Sequence, residues 1–109
     1  MNFTLDKSIL ITDMDNTILS DELVITDRDI KSINKLKSLG GHFTVSTGRS
    51  YPMMKRYAKW LGLNEPAVLL NGSAIYDYGT EKILWKNALP KDTIKFVGQV
   101  FNVFSDVAI

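Results

Sequence analysis

The 109-residue chain contains no cysteine, one histidine and three prolines. Without cysteine it can form no disulfide, thiolate metal site or thiol nucleophile, and a reducing, cytoplasmic location is expected. The chain also lacks an excess of either charge, since thirteen basic residues balance twelve acids, and this gives no bulk attraction to nucleic acid or to anionic membranes. Acids interrupt the N-terminal apolar run after a few residues, so neither a signal peptide nor a membrane span is expected.

Charge is nevertheless distributed unevenly along the chain. Residues 1–29 contain seven acids and two basic residues, whereas residues 30–63 contain seven basic residues and no acid. If the acidic and basic segments meet in the fold, the first can attract a metal ion and the second a phosphate group. The pattern therefore favours a site that binds both.

Three short apolar runs rich in β-branched residues predict buried strands. They span residues 8–12, 42–46 and 67–70. A hairpin around Gly79 is expected after them, formed by residues 74–78 and 82–85. A smaller hairpin is expected around Ser20 and Asp21.

Amphipathic patterns predict a helix between each pair of these strands. Thr26 followed by Asp29 is typical of an N-cap with an acid in the first turn. The apolar side of this first helix is predicted to contain Ile30, Ile33, Leu36 and Leu39. Ser50 is predicted to cap the second helix and Gly62 to end it. Its apolar face is predicted to contain Met53, Met54, Tyr57, Ala58, Trp60 and Leu61. Alternating strands and helices predict an α/β fold with a parallel sheet and right-handed crossovers.

A third helical pattern follows Pro90 and is apolar over about half of its circumference. Its apolar positions include Ile94, Val97, Phe101 and Phe104. Such a face requires a partner layer, so residues 88–109 are predicted to begin a second module, and the face could also support self-association. A C-terminal helix packed on the sheet is the alternative.

Asp13 and Asp15 follow the first predicted strand, at the edge where open parallel sheets bind ligands. In an extended chain the two side chains would point to opposite faces, so a turn at Met14 is needed to bring them to one site. Two carboxylates at one site repel each other unless a divalent cation or a shared proton relieves the repulsion, and hard oxygen ligands favour Mg²⁺. Asp13 could then attack phosphorus while Asp15 transfers a proton. Alternatively, the two acids only cap and turn the chain.

Polar residues also follow the second and third predicted strands. Thr47, Gly48 and Arg49 supply a hydroxyl, a flexible backbone and a guanidinium beside a helix N-terminus, which suits phosphate oxygens. Asn71 and Gly72 close the third strand at the same edge, where Asn71 could orient a substrate. A plain turn would also account for this pair.

Three segments in this order resemble the haloacid dehalogenase superfamily, in particular its Cof-like phosphatases. They are ITDMDNTIL (residues 11–19), STGRS (residues 46–50) and LLNGSAIYD (residues 69–77). The resemblance implies a Rossmannoid parallel sheet flanked by helices, with an inserted α/β cap. Residues 1–87 would then form the N-terminal part of the core, and residues 88–109 the linker and the first cap helix.

The resemblance also implies roles for individual residues. Asp13 would be the phosphoryl-accepting nucleophile and a Mg²⁺ ligand. Asp15 would be the general acid and base and would bind the metal through its backbone carbonyl. Thr17 would brace the loop. Contacts to phosphate or substrate would come from Met14, Asn16, Thr47, Gly48, Arg49, Asn71 and Gly72.

The sequence departs from the family pattern in two places. Asn16 replaces the usual glycine of the first motif, and Asn tolerates unusual backbone angles better than most residues. The lysine of the third motif and the acidic pair of the fourth are not found up to Ile109, so the chain is expected to be truncated. Loss of these groups would weaken metal binding and phosphoryl transfer.

The sequence thus predicts Mg²⁺-dependent hydrolysis of a small phosphorylated metabolite, such as a sugar phosphate, through an aspartyl-phosphate. Little activity is expected of the 109 residues alone because the later motifs are missing. Two alternatives remain open: a catalytically incomplete domain that binds phosphate or a protein, and a phosphotransferase or mutase that uses the same intermediate.

Overall fold

The chain forms a mixed α/β structure in a computed structural model that describes residues 3–106. The first half contains strand β1 (Ile9–Thr12), helix α1 (Asp27–Ser38), strand β2 (His42–Val45) and helix α2 (Tyr51–Leu61). The second half contains strands β3 (Ala67–Leu69), β4 (Ala74–Asp77) and β5 (Lys82–Lys86), and helix α3 (Thr93–Val103). A single 3-10 turn, Leu70–Gly72, connects β3 to β4. The predicted alternation of strands and helices is confirmed.

Backbone pairing places the strands in the order of their numbers. Strand β1 runs parallel to β2, with Ile9 opposite His42. A parallel bridge between Ser46 and Val68 joins the end of β2 to β3. Strands β3, β4 and β5 are antiparallel, which confirms the hairpin predicted around Gly79. Since β1, β2 and β3 share one direction, the loops that follow them leave the sheet at the same edge.

The smaller hairpin predicted around Ser20 and Asp21 is wrong. The backbone N–H of Ser20 donates to the Val24 carbonyl at 3.1 Å, and that of Leu23 donates to the Ser20 carbonyl at 2.9 Å. These bonds close a tight turn within five residues, but no strands flank it between β1 and α1.

The two helices begin at the predicted residues but are capped differently. The Thr26 hydroxyl accepts a hydrogen bond from the Asp29 backbone N–H at 3.1 Å and donates to the Asp29 carboxylate at 2.7 Å. Ser50 occupies the N-cap position of α2, yet its side chain makes no capping hydrogen bond. Gly62 ends α2 in the left-handed conformation, with φ of 61°, as predicted.

The core lies between the sheet and helices α1 and α2. It consists of Met14, Leu19, Ile25, Ile33, Phe43, Val45, Met54, Tyr57, Leu61, Ala67 and Leu69. The predicted apolar face of α2 is too wide, because Met53 and Trp60 are 56% and 49% exposed. Both side chains lie about 100° around the helix axis from the centre of the buried stripe, so the layer that α2 packs against covers them only in part.

Strand β1 is less buried than its sequence predicts. Ile9, Leu10 and Ile11 are each about half exposed. Within residues 3–106, β1 forms a ladder with β2 alone, so its other edge is open.

Helix α3 contains no buried residue, and Ile94 is 85% exposed. The alternative of a C-terminal helix packed on the sheet therefore does not describe this structure. The division into residues 1–87 and 88–109 stays a prediction. None of the described helices is both long enough and apolar enough to cross a membrane.

The two N-caps provide a matched pair for a stability test. Thr26→Ala removes a side-chain acceptor that satisfies a backbone N–H, so it should lower the free energy of unfolding by about 1 kcal/mol. Ser50→Ala removes no such bond and should cost less than about 0.5 kcal/mol. Urea unfolding followed by circular dichroism measures both values, and equal losses would contradict the capping difference.

Neighbouring residues of α2 test the width of its buried face. Leu61 is 1% exposed, and Leu61→Ala should lower the free energy of unfolding by about 2–5 kcal/mol through lost burial and a residual cavity. Trp60→Ala removes a larger side chain but should cost less, because half of that side chain is already in solvent. If urea titrations show a larger loss of unfolding free energy for Trp60→Ala than for Leu61→Ala, the buried face of α2 does include Trp60.

Candidate active site

Three loops meet at the edge of the sheet where β1, β2 and β3 end. The first loop, residues 13–19, follows β1; the second loop, residues 46–50, follows β2; and the third loop, residues 70–73, follows β3. Every residue that the sequence nominated for chemistry lies in one of these loops.

Backbone hydrogen bonds join the second loop to β3 and to the third loop. The Thr47 N–H donates to the Val68 carbonyl at 3.0 Å, and the Thr47 carbonyl accepts from the Asn71 N–H at 3.3 Å. The Leu70 N–H donates to the Arg49 carbonyl at 3.2 Å. These bonds fix the two loops against each other.

The first loop folds around Met14. Its carbonyl accepts hydrogen bonds from the backbone N–H groups of Thr17, Ile18 and Leu19, at 3.3, 3.1 and 2.8 Å. The Met14 side chain is fully buried, whereas Asp13 and Asp15 on either side of it are exposed. The turn predicted at Met14 is therefore present, and the buried side chain anchors it.

Asn16 adopts the left-handed conformation, with φ of 57°. Glycine reaches this region without steric cost, and Asn is among the few other residues that tolerate it. The substitution of Asn for the usual glycine is thus compatible with the loop.

Asp15 and Arg49 form an ion pair with two hydrogen bonds between the first and second loops. Arg49 Nε donates to Asp15 Oδ2 at 3.0 Å, and Nη2 donates to Oδ1 at 2.5 Å. The hydrogen bond from Arg49 lowers the pKa of Asp15, although burial opposes it, and the same bond raises the pKa of Arg49. Sequence reasoning placed Arg49 near phosphate, whereas in this structure its guanidinium binds a carboxylate of the same site.

Gly48 and Asn71 are in close contact. A Cβ atom at Gly48 would lie 2.9 Å from Asn71 Oδ1, which explains why this position lacks a side chain. Asn71 and Gly72 have φ angles of 53° and 88°. Leu70 also has a positive φ, 52°; for Leu this is a strained backbone, which its sequence did not signal.

Thr47 is 4% exposed, and its hydroxyl oxygen accepts a hydrogen bond from the Arg49 backbone N–H at 3.2 Å.

The three loops thus contain an exposed carboxylate, a second carboxylate that is bound to a guanidinium, a buried hydroxyl and an amide. An exposed carboxylate can act as a nucleophile, and hydrogen-bond donors around it can stabilise an anion.

The donor set of the site is hard oxygen. Mg²⁺ is commonly held by one or two carboxylates together with water and substrate phosphate, and Asp13 and Asp15 fit that description. Over residues 3–106, however, no three or more acids, histidines or cysteines converge to hold a metal ion. Two carboxylates are thus what the described loops offer to a metal ion.

Sequence reasoning missed one residue near the site. Tyr57 was predicted only as part of the core, but the Arg49 guanidinium carbon lies 5.2 Å from the centre of its ring. Arg56 also approaches this ring, at 4.6 Å. Helical spacing identifies Tyr57 as buried and gives no signal for contacts with a loop eight residues earlier.

Comparison with known proteins agrees with the fold. The family model for haloacid dehalogenase-like hydrolases matches residues 10–105. The chain is 35% identical over 72 residues to the 5-amino-6-(5-phospho-D-ribitylamino)uracil phosphatase YcsE of Bacillus subtilis. This alignment covers 66% of this chain and 29% of that protein. It is 24% identical over 82 residues to the pyridoxal phosphate phosphatase YbhA of Escherichia coli. That alignment covers 75% of this chain and 30% of the relative.

The crystal structure of a haloacid dehalogenase-like hydrolase from Bacteroides thetaiotaomicron has the same fold, with a TM-score of 0.79 at 17% identity. The alignment covers 88% of this chain and 37% of that one. The chain therefore spans about a third of the length of the proteins it matches. Because the family model matches nearly the whole sequence, the chain belongs to the haloacid dehalogenase-like hydrolases.

Proposed function

We propose that this chain carries the phosphoryl-accepting half of a phosphatase that acts on a small phosphorylated metabolite, such as a sugar phosphate. The observation that supports it is the position of four polar residues in three loops at one edge of the sheet, namely Asp13, Asp15, Thr47 and Asn71. Two relatives are named as phosphatases of small phosphorylated metabolites, which also favours this substrate class.

The proposed reaction has two steps. In the first, a carboxylate oxygen of Asp13 attacks phosphorus, the bond from phosphorus to the leaving oxygen breaks, and Asp15 gives that oxygen a proton. In the second, water attacks the aspartyl-phosphate, Asp15 takes the proton, and inorganic phosphate leaves. Thr47 would hold the transferring group through its hydroxyl, together with backbone N–H groups of Met14, Asn16 and Gly48.

Asp15 must carry a proton in the first step, although Arg49 lowers its pKa in the structure described above. A phosphate dianion that enters the site competes with Asp15 for the guanidinium. Loosening the ion pair raises the pKa of Asp15 because an opposite charge then stabilises its carboxylate less. When Arg49 binds phosphate, it would thus also raise the pKa of Asp15 and favour the protonated form that the first step requires.

Mg²⁺ would be held by the Asp13 carboxylate and the Asp15 backbone carbonyl. When bound, it neutralises negative charge on the phosphoryl oxygens. The lysine and the acidic pair that the resemblance calls for would have to come from outside these 109 residues.

A second candidate is a phosphate-binding domain without turnover. It is supported by the lack, within residues 3–106, of a group of three or more acids, histidines or cysteines that could hold a metal ion. A phosphotransferase or mutase would use the same first step and differ only in the group that accepts the phosphoryl from Asp13.

Replacement of the nucleophile tests the first candidate. The protein is assayed in its full natural length with an aryl phosphate, with and without Mg²⁺. We expect Mg²⁺-dependent release of phosphate that falls at least about a thousandfold in Asp13→Asn, because the amide cannot act as the nucleophile. Asp21→Asn, an exposed acid in the turn that follows the first loop, should retain the wild-type rate.

The outcomes separate the candidates. Equal rates in Asp13→Asn and wild type would refute the assignment of the nucleophile. A folded full-length protein without turnover, whose amide NMR signals in the first and second loops shift with inorganic phosphate, would support the phosphate-binding domain. If neither turnover nor shifts occur, both candidates fail. Addition of a sugar acceptor, followed by product analysis, identifies transfer in place of hydrolysis.

A further inference from the structure

Tyr57 is buried in the core, with 1% of its surface exposed, and yet it contacts two charged side chains. The guanidinium carbons of Arg49 and Arg56 lie over its ring, 5.2 Å and 4.6 Å from the ring centre. Both distances are within the range of a cation–π interaction. Arg56 also donates a hydrogen bond from Nη2 to the Tyr57 hydroxyl. The core and Arg56 together hold the ring in one orientation.

Arg49 is held at three points. Its backbone N–H donates to the Thr47 hydroxyl, its guanidinium donates to both carboxylate oxygens of Asp15, and the same guanidinium lies over the Tyr57 ring. Only 15% of its side chain is exposed, against 51% for Asp15. The solvent-facing carboxylate is therefore fixed by an arginine that is itself largely enclosed.

We propose that Tyr57 is a positioning residue of the site, whose ring holds the Arg49 guanidinium against Asp15. Of the three side chains, the Tyr57 ring is the most rigid because it belongs to the core cluster. The exposed Asp15 and the long Arg49 side chain have many other conformations. This inference rests on the proposed function for its catalytic meaning, but the contact itself does not.

The ring contact leaves the N–H groups of the Arg49 guanidinium free to change partners, because a cation–π contact acts on the face of the group. Tyr57 could thus keep Arg49 in place while it moves from Asp15 to a phosphate.

The test measures how well Arg49 is held, independently of turnover. In ¹⁵N-labelled full chain, the Nε–Hε proton of Arg49 is hydrogen-bonded to Asp15, so its exchange with water should be slow. The chain has three arginines, and Arg49→Lys identifies the signal. Tyr57→Leu, which removes the ring, should accelerate exchange by about three- to thirtyfold, the factor that corresponds to a cation–π interaction.

Two variants serve as controls. Tyr57→Phe keeps the ring and loses only the hydroxyl, so exchange at Arg49 should stay within about twofold of wild type. Leu61→Ala lowers the stability of the core on the same face of α2 without touching the ring contact. It should leave the Arg49 exchange rate unchanged under conditions in which the protein is folded.

Three results would overturn the inference: wild-type exchange in Tyr57→Leu, acceleration in Tyr57→Phe equal to that in Tyr57→Leu, or acceleration in Leu61→Ala of the same size. If the chain hydrolyses an aryl phosphate, kcat of Tyr57→Leu should fall by the same factor and be restored in Tyr57→Phe. Absence of turnover in the wild type would count against the proposed function and leave the exchange result intact.

Discussion

The common direction of β1, β2 and β3 is the constraint on which the site depends. Because parallel strands deliver their carboxyl ends to one edge, three loops that are far apart in sequence become neighbours there. The contacts between them are short: Asn71 touches Gly48, and Arg49 bridges to Asp15. A site of this kind is assembled by the sheet, and the loops add chemistry to a geometry that already exists.

Much of this architecture could be predicted from local patterns. Apolar runs gave the strands, the Thr26 and Asp29 pair gave a helix start, and the turn at Met14 followed from the need to bring two carboxylates together. Each of these inferences uses residues within one turn or one strand, over which backbone geometry is nearly fixed. The positions of the three loops then followed from topology, since a parallel sheet has one edge at which its strands end.

Features that depend on contacts between elements were not predicted. The pairing of Arg49 with Asp15 requires knowledge of where two loops meet, and a guanidinium near the end of a strand fits phosphate or carboxylate equally well. Trp60 was assigned to the apolar face of α2 by its position in the helical pattern, although the width of a buried helix face is set by the layer it packs against. For Tyr57, burial could be predicted from helical spacing, whereas its contacts with two arginines could not.

Within residues 3–106, one edge of β1 pairs with no other strand and the strand has three half-exposed apolar residues. Such an edge is a template onto which another strand can add, and it promotes aggregation unless charge interrupts it. Lys7 precedes this strand and Asp13 ends it. Asp13, the proposed nucleophile, is therefore also one of two charges that flank this open edge, so a substitution there would change both the proposed chemistry and the protection against strand addition.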